Sequence, residues 1–149
     1  MKEKIVSNPI GFRLELQPTV QQIQRINEYF NVCRYVYNFG LGIYLEKDNL
    51  NERGFVKKRI SFNTLCSKLT SHKKEKPFLE KYNIYSLRIA LRDVHHGFDK
   101  YFDKTLRNRR PRFKKKKSYY GEQSFGIRND RIVIWDNSVK ISGLFDRGI

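Results

Sequence analysis

Residues 83–102 read NIYSLRIALRDVHHGFDKYF, and their apolar positions recur at the spacing of one face of a helix. Asn83 stands at the start, where an N-cap side chain accepts a hydrogen bond from the first backbone N–H groups. The pattern predicts an amphipathic helix that packs into a core on one side. The apolar face carries eight residues, Ile84, Leu87, Ala90, Leu91, Val94, Phe98, Tyr101 and Phe102, and the polar face carries Tyr85, Arg88, Arg92 and His95.

The residues that follow this helix are strongly basic. Residues 104–117, referred to below as the basic segment, contain nine Lys or Arg and no Asp or Glu. An unpaired charge costs several kcal/mol when it is buried, so the basic segment must lie on a surface. Pro111 fixes its own φ and favours an extended backbone just before it. We therefore expect an extended stretch that presents cations to a polyanion, with a solvated basic loop as the alternative. The candidate contacts are Arg107, Arg109, Arg110, Arg112, Phe113, Lys114, Lys115, Lys116 and Lys117.

The overall composition of the chain also favours a polyanionic partner. The chain has 149 residues, with 31 Lys or Arg against 15 Asp or Glu and a formal net charge of +16. Such self-repulsion favours a polyanionic partner, with nucleic acid first and an anionic membrane second. Aromatic residues make up 14% of the chain, which argues against a disordered basic tail. Some of these rings could stack on unpaired bases.

An earlier helix is predicted after Thr19, because Gln22 occupies the third helical position of a capping box. Its apolar spacing continues to about residue 47, and we expect an interruption or a kink at residues 38–42, where two glycines fall. Arg34 and Asn38 lie beside its apolar stripe. They could contact a phosphate or a base, or they could be exposed to solvent or cap a neighbouring element.

A shorter helix is predicted after Ser61, followed by a basic connector over residues 71–76 and one helical turn over residues 77–81. Residues 11–17 alternate apolar and polar side chains, which is typical of a half-buried strand. Residues 131–135 and 139–141 predict two strands that are joined by a turn.

Strands at both ends and helices between them predict an α+β fold. The simplest layout is a helical bundle inserted into a small split antiparallel β-barrel-like unit. We assign residues 10–17 and 111–149 to the β unit and residues 18–110 to the inserted helical domain.

Catalytic and metal-binding patterns are weak in this sequence. Cys33 and Cys66 are the only cysteines and form no C-x-x-C pair, so we expect no zinc site, and free thiols fit a reducing cytosol. Asp99 and Asp103 stand four residues apart and could share a metal in a small metal-dependent nuclease. Carboxylates among cations on a helix surface are more often ordinary ion pairs, so we expect no catalytic residue, no metal and no cofactor.

Several motifs occur in an order that resembles the N-terminal part of the TnpB/OrfB family of transposon-encoded, RNA-guided DNA endonucleases. The resemblance covers residues 11–141. The motifs that carry it are Phe12-Arg13-Leu14, Pro18-Thr19 with Gln22, Cys33-Arg34-Tyr35-Val36-Tyr37-Asn38, Leu87 with Ala90-Leu91-Arg92-Asp93-Val94, Phe98 and Phe102, Pro111-Arg112-Phe113-Lys114-Lys115-Lys116, and Ser124-Phe125.

The resemblance implies a wedge domain split by an inserted recognition domain, often described as a helix-turn-helix domain. It implies contacts with guide RNA, target DNA and a short flanking DNA motif, with Tyr85, Leu87, Arg88, Ser124 and Phe125 near that motif. The family's catalytic carboxylates belong to a RuvC-like domain after the wedge, followed by a zinc ribbon, and this sequence ends before either.

From the resemblance we expect a nucleic-acid-binding module of a transposable element that does not act as an enzyme. Its partners would be RNA and DNA rather than a membrane, and it would be cytoplasmic and nucleoid-associated. A third possibility is an interaction subunit that pairs an exposed strand edge with a separate nuclease chain.

Overall fold

A computed structural model describes residues 11, 13–116 and 123–144 of the chain. These residues form three α-helices and one two-stranded antiparallel sheet, which confirms the α+β prediction. In chain order the elements are α1 (Val20–Tyr44), α2 (Phe62–Glu75), α3 (Ile84–Phe102), β1 (Ile132–Trp135) and β2 (Ser138–Ile141), with short 3₁₀ turns at Lys47–Asn49, Pro77–Lys81 and Asn129–Arg131.

All three helices begin where a capping residue was predicted. The Thr19 hydroxyl accepts the Gln22 backbone N–H at 3.3 Å, and the Gln22 side chain accepts the Thr19 N–H at 2.8 Å, which completes the capping box. Ser61 Oγ accepts a first-turn N–H at 3.1 Å, and the Asn83 side chain accepts one at 2.9 Å. These contacts satisfy backbone donors that the helix itself cannot pair.

The core lies mainly between α1 and α3. On α3, Leu87, Leu91, Val94 and Phe98 are completely buried, as the apolar spacing predicts. The ring of Tyr44, at the end of α1, stacks on Phe98 with centroids 3.8 Å apart. Two apolar stripes that face each other thus exclude water along most of both helices.

The predicted interruption of α1 at residues 38–42 is wrong, because α1 is one continuous helix from Val20 to Tyr44. Gly40 has a different function there. A Cβ built on Gly40 would lie 2.8 Å from Leu91 Cδ2 and 2.9 Å from Val94 Cγ1. The missing side chain therefore lets α3 approach α1 closely, and packing outweighs the low helix propensity of glycine.

The predicted connector at residues 71–76 is also corrected, because α2 continues to Glu75. Basic side chains in a last helical turn interact favourably with the C-terminal end of the helix dipole. His72 is held between the helices, with its ring 4.2 Å from the Phe39 ring and its Nε2 2.7 Å from the Tyr35 hydroxyl. Pro77 then ends the helix, since a residue before proline avoids the helical conformation.

The predicted hairpin is confirmed, and β1 pairs with β2 from Ile132↔Ile141 to Trp135↔Ser138. The strand predicted at residues 11–17 is wrong for the part that the structure describes, since residues 13–17 form no strand. Phe12 lies outside the described residues. Leu14 is 51% exposed, so within the described part of the chain it faces neither a second strand nor a core. A strand needs a hydrogen-bonding partner as well as a pattern.

A small second cluster joins the hairpin to the helices. Tyr29, Ile141 and Leu144 are buried together there. The Tyr29 hydroxyl donates a hydrogen bond to the Gly143 carbonyl and accepts one from the Asn83 N–H, both at 3.2 Å. One side chain of α1 thus ties the end of the hairpin to the start of α3.

Candidate nucleic-acid interface

The basic segment leaves α3 and runs back over the helices. Within its described part it contains neither helix nor strand, and its Lys and Arg side chains lie on the surface, as predicted. Pro111 packs on α3 at Gly97, where an added Cβ would lie 2.9 Å from Pro111 Cγ. The glycine at this point therefore allows the basic segment to lie close to the helix.

A side chain of α1 fixes the next part of the basic segment. Asn38 Nδ2 donates to the Lys114 carbonyl at 2.9 Å, and the Lys114 N–H donates to Asn38 Oδ1 at 2.8 Å. The Lys114 ammonium lies 4.1 Å from the centre of the Tyr37 ring, within cation–π range. Asn38 was predicted to contact nucleic acid or cap a neighbour, and its amide here holds a backbone in place.

Among the described residues, no carboxylate neutralises the cations of the basic segment. In residues 104–116 every Lys and Arg side chain is exposed. Across the described ranges, none of them forms an ion pair with a carboxylate. Lys117 lies outside the described residues. A fixed row of unpaired cations produces a positive potential that attracts polyanions.

Three arginines of the basic segment surround a hollow of about 500 Å³. Arg109, Arg110 and Arg112 line it together with Tyr101 and the turn at residues 53–55. One Arg110 guanidinium nitrogen donates to the Gly54 carbonyl at 3.3 Å, so that this side chain has a defined direction. The turn depends on Gly54, whose φ of +75° suits glycine. Arg107 and Lys116 are exposed in the same segment.

The later part of the basic segment lines a larger cleft of about 750 Å³, referred to below as the basic cleft. Its residues come from the stretch before α1, from α1 and α3, from the basic segment and from residues 123–126, which precede β1. They are the cations Arg13, Arg34, Lys114 and Lys115, the carboxylate Asp93, the rings Phe30, Phe113 and Phe125, and also Cys33, Ala90, Gln123, Ser124 and Gly126.

The aromatic rings of the basic cleft differ in exposure. Phe125 is half-buried and stacks on Tyr29, with centroids 5.2 Å apart and ring planes 29° apart. It also meets the Phe30 ring edge-on at 5.4 Å, so it forms part of the packed floor. Phe113 is 54% exposed, and its ring is available to a ligand.

Two ionisable groups of the basic cleft have contrasting surroundings. Cys33 is buried, and desolvation, followed by the charge of Asp93, raises the pKa of its thiol to about 12. A thiol with this pKa is protonated at neutral pH and is a poor nucleophile. Asp93 is exposed, and within the described ranges its carboxylate forms no hydrogen bond or ion pair.

The polar face of α3 forms a separate surface. Arg88 and Arg92 are exposed, and the Arg92 guanidinium lies 5.4 Å from the Phe62 ring of α2. Tyr85 is covered in part by the Arg128 guanidinium, 4.3 Å from its ring centre. Asp93 lies five positions after Arg88, about 140° around the helix, and Ala90, the other cleft residue of α3, lies two positions before Arg92, about 160° around it. The arginines of α3 therefore face away from the basic cleft.

Of the remaining predicted site residues, some line the basic cleft and one lies in the core. Arg34 lines the basic cleft and donates a hydrogen bond to Asn31 Oδ1 at 3.0 Å. Ser124 is exposed at the cleft, whereas Leu87, expected near the flanking DNA motif, is completely buried in the core. Sequence reasoning missed Arg13, Asp93 and Gln123 as cleft residues. Gln123 could have been found as the neighbour of Ser124, but no local pattern indicates that Arg13 and Asp93 share a cleft.

The two carboxylates of the nuclease alternative have separate partners. Asp99 lies 3.5 Å from His95 Nε2 and 3.9 Å from an Arg59 guanidinium nitrogen. Asp103 accepts two hydrogen bonds from Thr105, at 2.7 and 2.9 Å, and these bonds lower the pKa of its carboxyl group. In the part of the chain that the structure describes, no group of three or more His, Cys, Asp or Glu side chains is arranged to hold a metal ion.

A comparison with protein families locates one part of this chain. Residues 9–48 match the model HTH_OrfB_IS605, a helix-turn-helix domain. This match supports a relation to the N-terminal region of the OrfB/TnpB family. No curated protein matches the chain. Among the described residues there is no helix with the length and apolar character needed to cross a membrane.

The described residues of the matched range contain one α-helix. They form the stretch before α1, α1 itself and the first part of a 3₁₀ turn. The next pair of α-helices, α2 and α3, follows the match and is joined by residues 76–83. The two-helix unit that presents arginines on its second helix is therefore outside the matched residues.

Proposed function

We propose that this chain is a nucleic-acid-binding module of a transposon-associated OrfB type, and that DNA or RNA lies along the basic segment. The helix-turn-helix match supports a DNA-binding role. The observation that carries the proposal is the pair of amide hydrogen bonds between Asn38 and the Lys114 backbone. They hold an unpaired row of cations against α1 and α3.

Anchoring matters because binding a flexible basic tail costs conformational entropy. Contacts at Pro111, Lys114 and Arg110 fix the path of the basic segment before any ligand arrives. The phosphates of a nucleic acid would then meet cations that are already in position, which reduces the entropic cost of binding. The guanidinium group of Arg can donate two parallel hydrogen bonds to one phosphate, and the ammonium group of Lys contributes a compact positive charge.

The finer assignment comes from the family resemblance. We propose that the ligand includes a guide RNA and a target DNA, and that the α3 face with Tyr85, Arg88 and Arg92 approaches DNA separately from the basic segment. The exposure of Arg88 and Arg92 supports this second contact. An Arg88→Ala variant that changes sequence preference, rather than overall affinity, would distinguish base reading from phosphate binding.

The first test is a salt titration of binding to a labelled oligonucleotide, followed by fluorescence anisotropy. We expect affinity to fall linearly with the logarithm of salt concentration, as counterion release requires. Replacing Arg109, Arg110, Arg112 and Lys114 together with Ala should reduce the slope by about 3 to 4. A flat salt response of the unaltered chain would overturn the proposal.

A matched control separates position from net charge. Replacing Lys73, Lys74, Lys76 and Lys81 with Ala removes the same charge from the end of α2 and the following turn. This variant should retain most of the slope and affinity. An equal loss in both variants would show that net charge alone drives binding, and the basic segment would have no special role.

A second test removes the anchor and leaves every charge in place. Asn38→Ala deletes both hydrogen bonds to Lys114, and we expect affinity to fall by up to roughly thirtyfold, since the two bonds together contribute about 2 kcal/mol. Asn27→Ala, at an exposed position of the same helix, is the control. Unchanged affinity in Asn38→Ala would contradict the role given to the anchor.

The proposal assigns no bond-breaking role to the chain. Asp99 and Asp103 have local partners that account for their positions. Incubation with labelled DNA and Mg²⁺ or Mn²⁺ tests this directly. Cleavage that is lost in Asp99→Ala would favour the nuclease alternative.

A further inference from the structure

The basic cleft has more than the positive charge needed to hold a phosphate backbone. It combines four cations, one exposed aromatic ring and one carboxylate without a hydrogen-bond or ion-pair partner among the described residues. Its volume of about 750 Å³ lies within the range of small-ligand pockets, about 300–1,000 Å³. A backbone groove alone would not require the carboxylate, which repels phosphate.

We propose that the basic cleft takes up one unpaired base of single-stranded DNA or RNA, and that Asp93 selects bases that present an amino group. This inference rests on the proposed function, since the strand must first be held by the basic segment. It adds a base-specific subsite to a surface that otherwise binds phosphates.

The charges of the cleft determine the orientation of the ligand. Phosphates are drawn to Arg13, Lys114 and Lys115 and repelled by Asp93. A neutral part of the nucleotide therefore faces Asp93, and we assign this position to the base, because the exposed ring of Phe113 lines the same cleft and can stack on it. An ionised carboxylate only accepts hydrogen bonds, so it favours the amino group of cytosine and disfavours the carbonyl found at the same position in thymine or uracil.

Phe113 supplies the stacking surface. Its ring is 54% exposed, and the neighbouring Lys114 backbone is fixed by Asn38. An exposed ring on an anchored backbone can stack on a base at a small cost in conformational entropy, because the backbone is already ordered. Phe30 and Phe125 pack together beneath the same cleft and close its floor.

The experiment compares labelled ten-nucleotide strands of dC with dT, and of rC with rU, on the full chain at one salt concentration. We expect the cytosine strand to bind about fivefold more tightly in at least one pair. Asp93→Asn should bring the two affinities together, mainly by strengthening the thymine or uracil complex. Asp99→Asn removes the same charge from α3 outside the cleft and should keep the preference.

A stacking variant completes the test. Phe113→Ala should weaken binding of all single strands by about fivefold or more and leave duplex binding unchanged. Phe113→Leu is a second variant that keeps apolar volume but loses the aromatic face. Both changes are at an exposed position, so the fold should persist in circular dichroism spectra.

The outcomes separate this inference from the proposed function. Equal binding of cytosine and thymine or uracil strands in both pairs, with no effect of Asp93→Asn on their ratio, would overturn the base subsite while salt-dependent binding remains. Failure to bind any strand or duplex would overturn both. A preference in the RNA pair alone, or in the DNA pair alone, supports the subsite and identifies its ligand.

Discussion

The helical core and the terminal hairpin contain similar apolar residues but differ in how the chain covers them. Leu91 on α3 is 0% exposed, whereas the four residues of β1 are 37% to 51% exposed. Each helix has a facing helix, while β1 has a partner strand on one edge and no covering layer among the described residues. Apolar composition therefore produces a core only where a second element lies opposite it.

Removing a core side chain should give the largest effect. Leu91→Ala deletes a fully buried side chain that packs against α1, and we expect a loss of about 2–5 kcal/mol in the free energy of unfolding. Trp135→Ala removes a larger, exposed side chain and should change stability by about 0.5 kcal/mol or less. Urea unfolding of both variants measures the contrast, and similar losses would show that β1 is covered as well as α3.

The close approach of α1 and α3 can be tested with two glycines of the same helix. Gly40→Ala places a Cβ against Leu91 and Val94, and we expect a loss of about 1–3 kcal/mol. Gly42→Ala meets nothing within 4 Å, so it should gain about 0.5–1 kcal/mol from helix propensity. Thermal unfolding gives both values, and a stabilised Gly40→Ala variant would contradict the packing described here.

The link between the two regions depends on one hydroxyl group. Tyr29→Phe leaves the Asn83 N–H and the Gly143 carbonyl without this partner, and we expect a loss of about 1–3 kcal/mol. Hydrogen exchange should increase first in β2. Tyr101→Phe removes a hydroxyl that has no hydrogen bond within the described ranges and serves as the control. Equal exchange in both variants would mean that the hydrogen bonds do not hold the hairpin.

The smallest effect should appear only at alkaline pH. The pKa of the buried Cys33 thiol is raised from 9.0 to about 12 in the folded chain, so the thiol favours the fold below pH 9. This contribution is lost as the pH rises towards 12. By pH 10 we expect a loss of about 1 kcal/mol that Cys33→Ser does not show. Urea unfolding measured between pH 8 and pH 10 tests this. If the free energy of unfolding had the same pH dependence in the unaltered protein and in Cys33→Ser, this contribution of the thiol would be excluded.

The sequence determined the features that depend on near neighbours. The caps at Thr19, Ser61 and Asn83, the apolar face of α3 and the β1–β2 turn all involve residues within a few positions of each other. The surface position of the Lys and Arg side chains in the basic segment was also predictable, because a dense run of unpaired charges can lie only on a surface. These features made the α+β class and most of the candidate binding residues predictable.

Tertiary structure decided which distant residues meet. The apolar alternation gave no strand in the described residues 13–17, Gly40 became a packing site, and Asn38 became an anchor for a backbone 76 residues further along the chain. The basic cleft brings Arg13, Asp93 and Phe113 together from separate elements. Local patterns show what each residue prefers, but contacts between distant residues depend on how the helices pack, and packing is a property of the whole chain.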